Sequence, residues 1–223
     1  MWDASFVARK TSNDGASEQS LRRLVDAIVA NDGTLFSELL GASPALAALS
    51  FSSGATRQEA SPSFIAEIGH YIYSGDTALH FAAAAYRQKM ADQLIKAAAD
   101  LRAKNRRGSE PLHSAAVGSP DSARWDPAAQ AATIVCLIEA GADPNAQNMD
   151  GATPLHRAIR TRCAGAVRAL LDHGGDPTIR NRNGSTAMQL ALHTTGRGGS
   201  GSPAAKAQLE EILLLVNVEA KLF

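Results

Sequence analysis

Apolar positions in this chain recur every three or four residues in short blocks, and the blocks come in pairs. Leu155, Ala158 and Ile159 stand at i, i+3 and i+4, and Val167, Leu170 and Leu171 repeat the pattern a little further on. Such spacing lays one apolar stripe along a helix, so each pair of blocks predicts two short amphipathic helices joined by a turn. Met90, Leu94 and Ile95, and again Ile134, Leu137 and Ile138, mark two more second helices. Near the N-terminus Leu21, Leu24, Val25 and Ile28 predict one helix. After the turn Asn31-Asp32-Gly33, Leu35, Phe36, Leu39 and Leu40 predict its partner. Leu209, Ile212, Leu213 and Val216 predict a closing helix. No apolar run approaches the roughly 18 residues that would span a bilayer.

The polar residues between the blocks repeat as well. Gly75-Asp76-Thr77-Ala78-Leu79-His80, Gly108-Ser109-Glu110-Pro111-Leu112-His113, Gly151-Ala152-Thr153-Pro154-Leu155-His156 and Gly184-Ser185-Thr186-Ala187-Met188-Gln189 align, with glycines 33, 43 and 33 residues apart. A second landmark trails three of them: Ala98-Ala99-Asp100, Gly141-Ala142-Asp143 and Gly174-Gly175-Asp176. The offset between landmarks is 23 residues in the first and third cases and 33 in the second, so ten extra residues lie inside the second unit. Thr153 is placed to cap a helix whose first residue is Pro154, where the missing N–H costs nothing. Gly141 and Gly174 fall where a helix C-terminus favours a left-handed residue. Alanines 82, 115, 158 and 191 share one phase, and a side chain that small allows successive helices to approach. A helix pair of this kind buries its apolar faces only against its neighbours.

The period of 33 and the Thr-Pro-Leu-His core resemble the ankyrin repeat. The resemblance extends over about residues 72–216, and more loosely over 18–50. It implies an all-α fold, an ankyrin-repeat solenoid of stacked helix-turn-helix units with β-hairpin tips. The organisation expected is a flexible N-terminus at 1–17 followed by one domain over 18–223. Within it, 18–50 is a capping unit and 51–71 an insertion that packs back onto the first full repeat. Repeats succeed one another at 72–104, 105–147, 148–180 and 181–216, with a tail at 217–223.

Two loops between paired helices exceed the repeat: Gly118 to about Gln130, and Thr194 to Pro203 with its glycine-rich core. Both are expected to project from the edge opposite the tips. Drift in a tolerant loop accounts for them. A second contact surface, with Trp125 as anchor and Arg197 beside it, is the functional alternative, because an isolated loop tryptophan is costly to expose.

Charge and chemistry narrow the function. Lys and Arg number 22, as do Asp and Glu, so no net charge draws the chain to nucleic acid or an anionic membrane. The two cysteines, Cys136 and Cys163, are too few for a disulfide scaffold, and the first residues lack a secretory apolar stretch. The expectation is a cytoplasmic protein with reduced thiols. His80, His113 and His156 occupy one repeat phase and are separated by about 10 Å per unit, too far to share a metal. The resemblance gives them a structural role, bonding the nearby Thr and backbone. Gly196–Gly201 lacks the Lys-Ser/Thr of a phosphate cradle, and neither cysteine has a paired His. No catalytic residues, metal or cofactor are expected, and the chain is read as a non-enzyme.

The resemblance implies instead a non-catalytic scaffold that binds a partner protein across its concave face, made of tips and first helices. Carried over position by position, that face is Tyr73, Asp76, Lys104, Arg106, Arg107, Met149, Asp150, Arg160, Arg180, Arg182 and His193. Arginine suits bidentate carboxylate contacts, so an acidic partner surface is the sharper reading of these tips. A monomer is expected. The alternative is an anionic ligand, nucleic acid or a phosphorylated molecule, held by the arginine tips; the balanced charge and few exposed aromatics disfavour it.

Overall fold

The computed structural model describes residues 4–56, 59–193 and 202–219; side chains are described over the same stretches except at 4–15, 193 and 217–219. Within these stretches ten α-helices form two layers. The inner layer is α1 (Ala4–Ala30), α3 (Ala78–Ala84), α5 (Pro111–Ala115), α7 (Pro154–Arg160) and α9 (Ala187–His193). The outer layer is α2 (Gly33–Ala42), α4 (Gln88–Lys96), α6 (Pro127–Glu139), α8 (Ala164–Asp172) and α10 (Pro203–Glu219). Each helix packs against the next member of its own layer and against its pair. Helix α1 runs back to Ala4, through most of the stretch expected to be a free N-terminus.

Short-range chemistry starts the inner helices. At α7 the Thr153 hydroxyl accepts the His156 N–H, while His156 Nδ1 accepts the Thr153 N–H at 3.3 Å, a closed capping box with Pro154 at the first position. Thr77 with His80 does the same for α3, and at α5 the Glu110 side chain replaces the threonine. In the core, Ala82, Ala115, Ala158 and Ala191 are all buried in equivalent places, and so are Leu94, Leu137 and Leu170 on the outer helices.

The tips close by turns rather than by strand ladders. Asn105 N–H donates to Ser109 O, Asn148 N–H to Ala152 O and Asn181 N–H to Ser185 O. Neighbouring tips are tied by one backbone–backbone bond each: Arg106 N–H to Ser74 O, Met149 N–H to Arg107 O and Arg182 N–H to Asp150 O. The β-hairpin geometry expected of the tips thus survives as hydrogen-bonded turns, because each tip offers its neighbour a single backbone donor and no extended run.

The only strands among the described residues lie in the insertion. Strands β1 (Phe64–Ile65) and β2 (His70–Tyr71) pair antiparallel. The insertion is fixed to the first repeat through Phe51, whose ring meets Phe81 edge-on at 5.6 Å, and through His70, which meets the same ring at 5.5 Å. Its turn reaches the α5–α6 loop, where Arg124 donates to Ala66 O at 3.1 Å. The hairpin therefore runs from the tip edge at Tyr73 to the loop edge of the array and walls off the first repeat.

Candidate functional site

Most of the tip residues expected to form a contact surface are exposed and in register. Arg106, Met149 and Arg182 stand two residues before the turn glycines, and Arg107 and Asp150 one residue before. Tyr73 begins the row. Its half-buried ring lies 6.0 Å from the Arg106 guanidinium and 5.8 Å from that of Arg107. It continues an aromatic run through Tyr71, at 6.3 Å, to Phe64, which is 43% exposed. Met149 is 60% exposed in the middle of the row. Arg107 approaches Asp150 at 3.6 Å, both ends open to water.

The remaining cations vary in how far they are committed. Lys104 lies 3.7 Å from the mostly buried Glu110, whose carboxyl is pushed up by burial against the pull of Lys104 and Arg102. Arg180 donates to Gly184 O at 2.6 Å and to Gln189, so it braces the last tip. Arg160 and Arg182 are exposed. The His193 side chain and Arg197 lie outside the described residues.

Asp76 is the clear departure from expectation. Its repeat position predicts a contact residue, yet it is fully buried. Its carboxylate accepts the Tyr73 N–H at 2.7 Å and the Asn105 side-chain amide at 2.8 Å, with His70 at 3.6 Å. Burial pushes that carboxyl up, but His70, His80 and the Tyr73 N–H outweigh it and hold it below the usual range. Asp76 therefore knits the insertion, the first tip and the second tip together and is closed to a partner. Ala84 and Ala85, on the same face of the inner helix by position, are buried too.

The histidines bridge repeats. His80 Nε2 lies 3.0 Å from Ser109 O, His113 Nε2 lies 3.1 Å from Ala152 O, and His156 Nε2 lies 3.1 Å from Ser185 O. With Nδ1 accepting a backbone N–H, the Nε2–H tautomer results, and the ring is neutral. Burial drives all three below the normal imidazole range, His113 to about 4. No group of His, Cys, Asp or Glu among the described residues has metal-binding geometry.

The α5–α6 loop folds back instead of projecting freely. Trp125 donates from its indole to Gln130 at 2.8 Å, and the buried Gln130 amide donates to Ala115 O at 2.9 Å. A Cβ at Gly118 would stand 2.6 Å from the indole nitrogen and 2.7 Å from Cys163 Sγ, so ring and thiol are packed onto the chain there. Burial raises the Cys163 thiol to about 11 and raises Cys136 as well, which leaves neither as a nucleophile near neutral pH. A separate cleft of about 580 Å³ opens between α1 and the insertion, lined among others by Glu18, Arg22, Phe51 and Ile72; no residue of the tip row lines it.

Some residues of the site are not evident from the sequence pattern. Asn105, Asn148 and Asn181 each accept two tip N–H groups through the side-chain oxygen and so shape the turns that present the arginines. Their common position, three before each turn glycine, is the signal that marks them. Arg157 carries no such signal: it lies on α7, and its buried Nε has no acceptor.

A solenoid of paired helices, with capping-box inner helices and hydrogen-bonded tips, defines a stacked-repeat protein. The repeat is the ankyrin repeat: family models of the ankyrin repeat match residues 74–106, and of ankyrin repeats in many copies residues 137–191. This chain is an ankyrin-repeat protein. The interval between the two matches contains the enlarged α5–α6 loop. No curated protein matches the sequence. Ankyrin repeats are generally protein–protein interaction modules, and the proteins built from them are typically non-catalytic scaffolds. No described helix is long and apolar enough to cross a membrane.

Proposed function

We propose that this protein is a non-catalytic scaffold in the cytoplasm that binds a partner protein through the face formed by the tip row and the inner helices of repeats two to four. One observation carries the reading. Tyr73, Arg106, Arg107, Met149 and Arg182 follow one another along the tip row and Arg160 ends α7, with Met149 and the arginines exposed, while the fold is held by a different set: the tip asparagines, the histidines and Asp76. Arginine, tyrosine and methionine are the residue types enriched at protein interfaces. The protein acts as a monomer. Trp125 and the α5–α6 loop serve the fold, and the second surface expected there is secondary to the tip row.

The test is affinity capture from source-cell lysate with mass spectrometry. Wild type is compared with a variant carrying Glu at positions 106, 107, 180 and 182, after circular dichroism shows that the variant is folded. Capture of a protein by wild type and its loss in the variant is the expected result. Equal capture by both would move the site off this face.

A further inference from the structure

The cleft between α1 and the insertion lies apart from the tip row and is built from both sides. Its volume is about 580 Å³, within the roughly 300–1,000 Å³ of small-molecule sites. Backbone bonds set the insertion side: Ala55 N–H donates to Ile72 O at 2.7 Å, and Ile72 N–H donates to Ser63 O at 2.8 Å. A Cβ on Gly54 would stand 2.4 Å from Ile72 O, so these segments already touch. The buried Phe51 and Ile72, with Pro62, supply the apolar lining. From the other side α1 contributes Glu18 and Arg22, and the Ser52 hydroxyl donates to Glu18 at 2.6 Å, which pins helix to insertion. An acid one turn before a cation is the order that favours an ion pair along a helix. Here the two are not paired: Arg22 is exposed, and among the described residues it has no hydrogen-bond or ion-pair partner. The cleft thus offers an open cation, a carboxylate with one oxygen uncommitted and an apolar wall.

We infer that this cleft binds a free dipeptide with apolar side chains, its carboxylate on Arg22, its ammonium on Glu18 and its side chains against Phe51, Ile72 and Pro62. The spacing selects the ligand. Residues four apart on a helix have Cβ atoms about 5–6 Å apart. The charged ends of a single amino acid are only about 2.5 Å apart, whereas an extended dipeptide spans about 7 Å. An acid and a guanidinium at that separation match both ends of a dipeptide, and a longer chain presents only one end there. The planar guanidinium suits a carboxylate in bidentate geometry. Aliphatic and aromatic side chains laid against Phe51 and Ile72 gain in proportion to the area removed from water. No residue of the tip row lines the cleft, so the dipeptide site and the protein-binding face stand or fall separately.

The test is isothermal titration calorimetry of the full chain with the dipeptide Leu-Phe, beside N-acetyl-Leu-Phe, Leu-Phe amide and Gly-Gly. Wild type is compared with Arg22→Gln, Glu18→Gln and Arg23→Gln, the last removing an exposed cation of α1 that does not line the cleft. Glu18→Gln keeps an oxygen for the Ser52 hydroxyl, so α1 stays pinned to the insertion. Leu-Phe is expected to bind, and Gly-Gly to bind far more weakly. Blocking either end should weaken binding about tenfold or more, the scale of a hydrogen bond to a charged group. Arg22→Gln should weaken Leu-Phe by the same factor yet leave Leu-Phe amide unchanged, Glu18→Gln should do so with N-acetyl-Leu-Phe as the indifferent ligand, and Arg23→Gln should alter nothing. Three results would each overturn the inference: no binding of Leu-Phe at millimolar concentration, equal weakening by Arg22→Gln and Arg23→Gln, or binding of the blocked forms as tight as that of Leu-Phe. Tight binding of N-acetyl-Leu-Phe alone would assign the cleft to the C-terminus of a longer chain, and the free dipeptide would be abandoned.

Discussion

His156 is hydrogen-bonded to both sides of a repeat boundary: its Nδ1 takes the Thr153 N–H at the start of its own helix, and its Nε2 reaches Ser185 O in the next tip. One ring thereby caps a helix and fixes the spacing to the adjoining repeat. His80 and His113 do the same at the two earlier boundaries, so the array is stitched by neutral imidazoles.

That stitching makes the fold acid-labile. A depressed imidazole is neutral in the folded state when the unfolded chain already binds a proton, so the stabilisation is fully present above about pH 6.5 and is lost as pH falls toward the folded value. For His113, lowered to about 4, the loss at pH 4 is about 3 kcal/mol. His80 and His156 add to it in the same direction. Urea unfolding midpoints should fall steadily between pH 6.5 and 4, and His113→Gln should flatten that slope. A midpoint constant over this range would contradict neutral, buried rings.

The turn glycines should differ according to whether another tip packs against them. At Gly151 φ is +67° and a Cβ would lie 2.8 Å from Arg182 N, whereas at Gly184, with φ +76°, nothing stands within 4 Å. Alanine at 184 carries only the left-handed penalty, about 1–2 kcal/mol. Alanine at 151 adds a backbone clash with the next tip and should cost clearly more, about 3 kcal/mol or above. Thermal unfolding of the two variants measures the difference; equal losses would mean that tip-to-tip contact contributes nothing.

Ala98 offers a gain. It holds the helix-end position of Gly141 and Gly174 but is an alanine at φ +63°. Ala98→Gly removes the left-handed strain of an exposed residue and should stabilise by about 0.5–1 kcal/mol, since the strain outweighs the added freedom of the unfolded chain. In a melting experiment this appears as a rise of about 1–4 °C, and a fall would show that the turn is not strained.

Trp125 separates fold from contact. Trp125→Phe removes the donor to Gln130 and should cost about 1 kcal/mol of stability, while capture of the partner is unchanged. Loss of capture at full stability would instead return the residue to a binding role.

The repeat was legible in the sequence because helix caps, turn glycines and apolar stripes act over a few residues and recur at fixed spacing. Thr153, Pro154 and His156 specify the start of α7 whatever surrounds them, and the recurrence of His80, His113 and His156 carries the resemblance that implies their common structural use. The phases of Ala82, Ala115, Ala158 and Ala191 likewise predict which residues become core. Exposure at the tips was less legible, because it depends on which neighbour each residue meets.

Asp76, Ala152 and Ser185 share a repeat position, yet only Asp76 has a side chain that meets His70 from the insertion and Asn105 from the next tip, and it alone of the three is fully buried. Arg157 shares its position with Phe81, and nothing local tells that it will sit among Arg107 and Arg160 with its Nε unpartnered. The sequence by itself determined the repeating unit, its caps and its core, because these rest on local hydrogen bonds and helical periodicity. The tertiary structure alone decided where charge collects and which polar side chains are withdrawn from water, because burial and Coulomb interaction depend on distances between residues far apart in the chain.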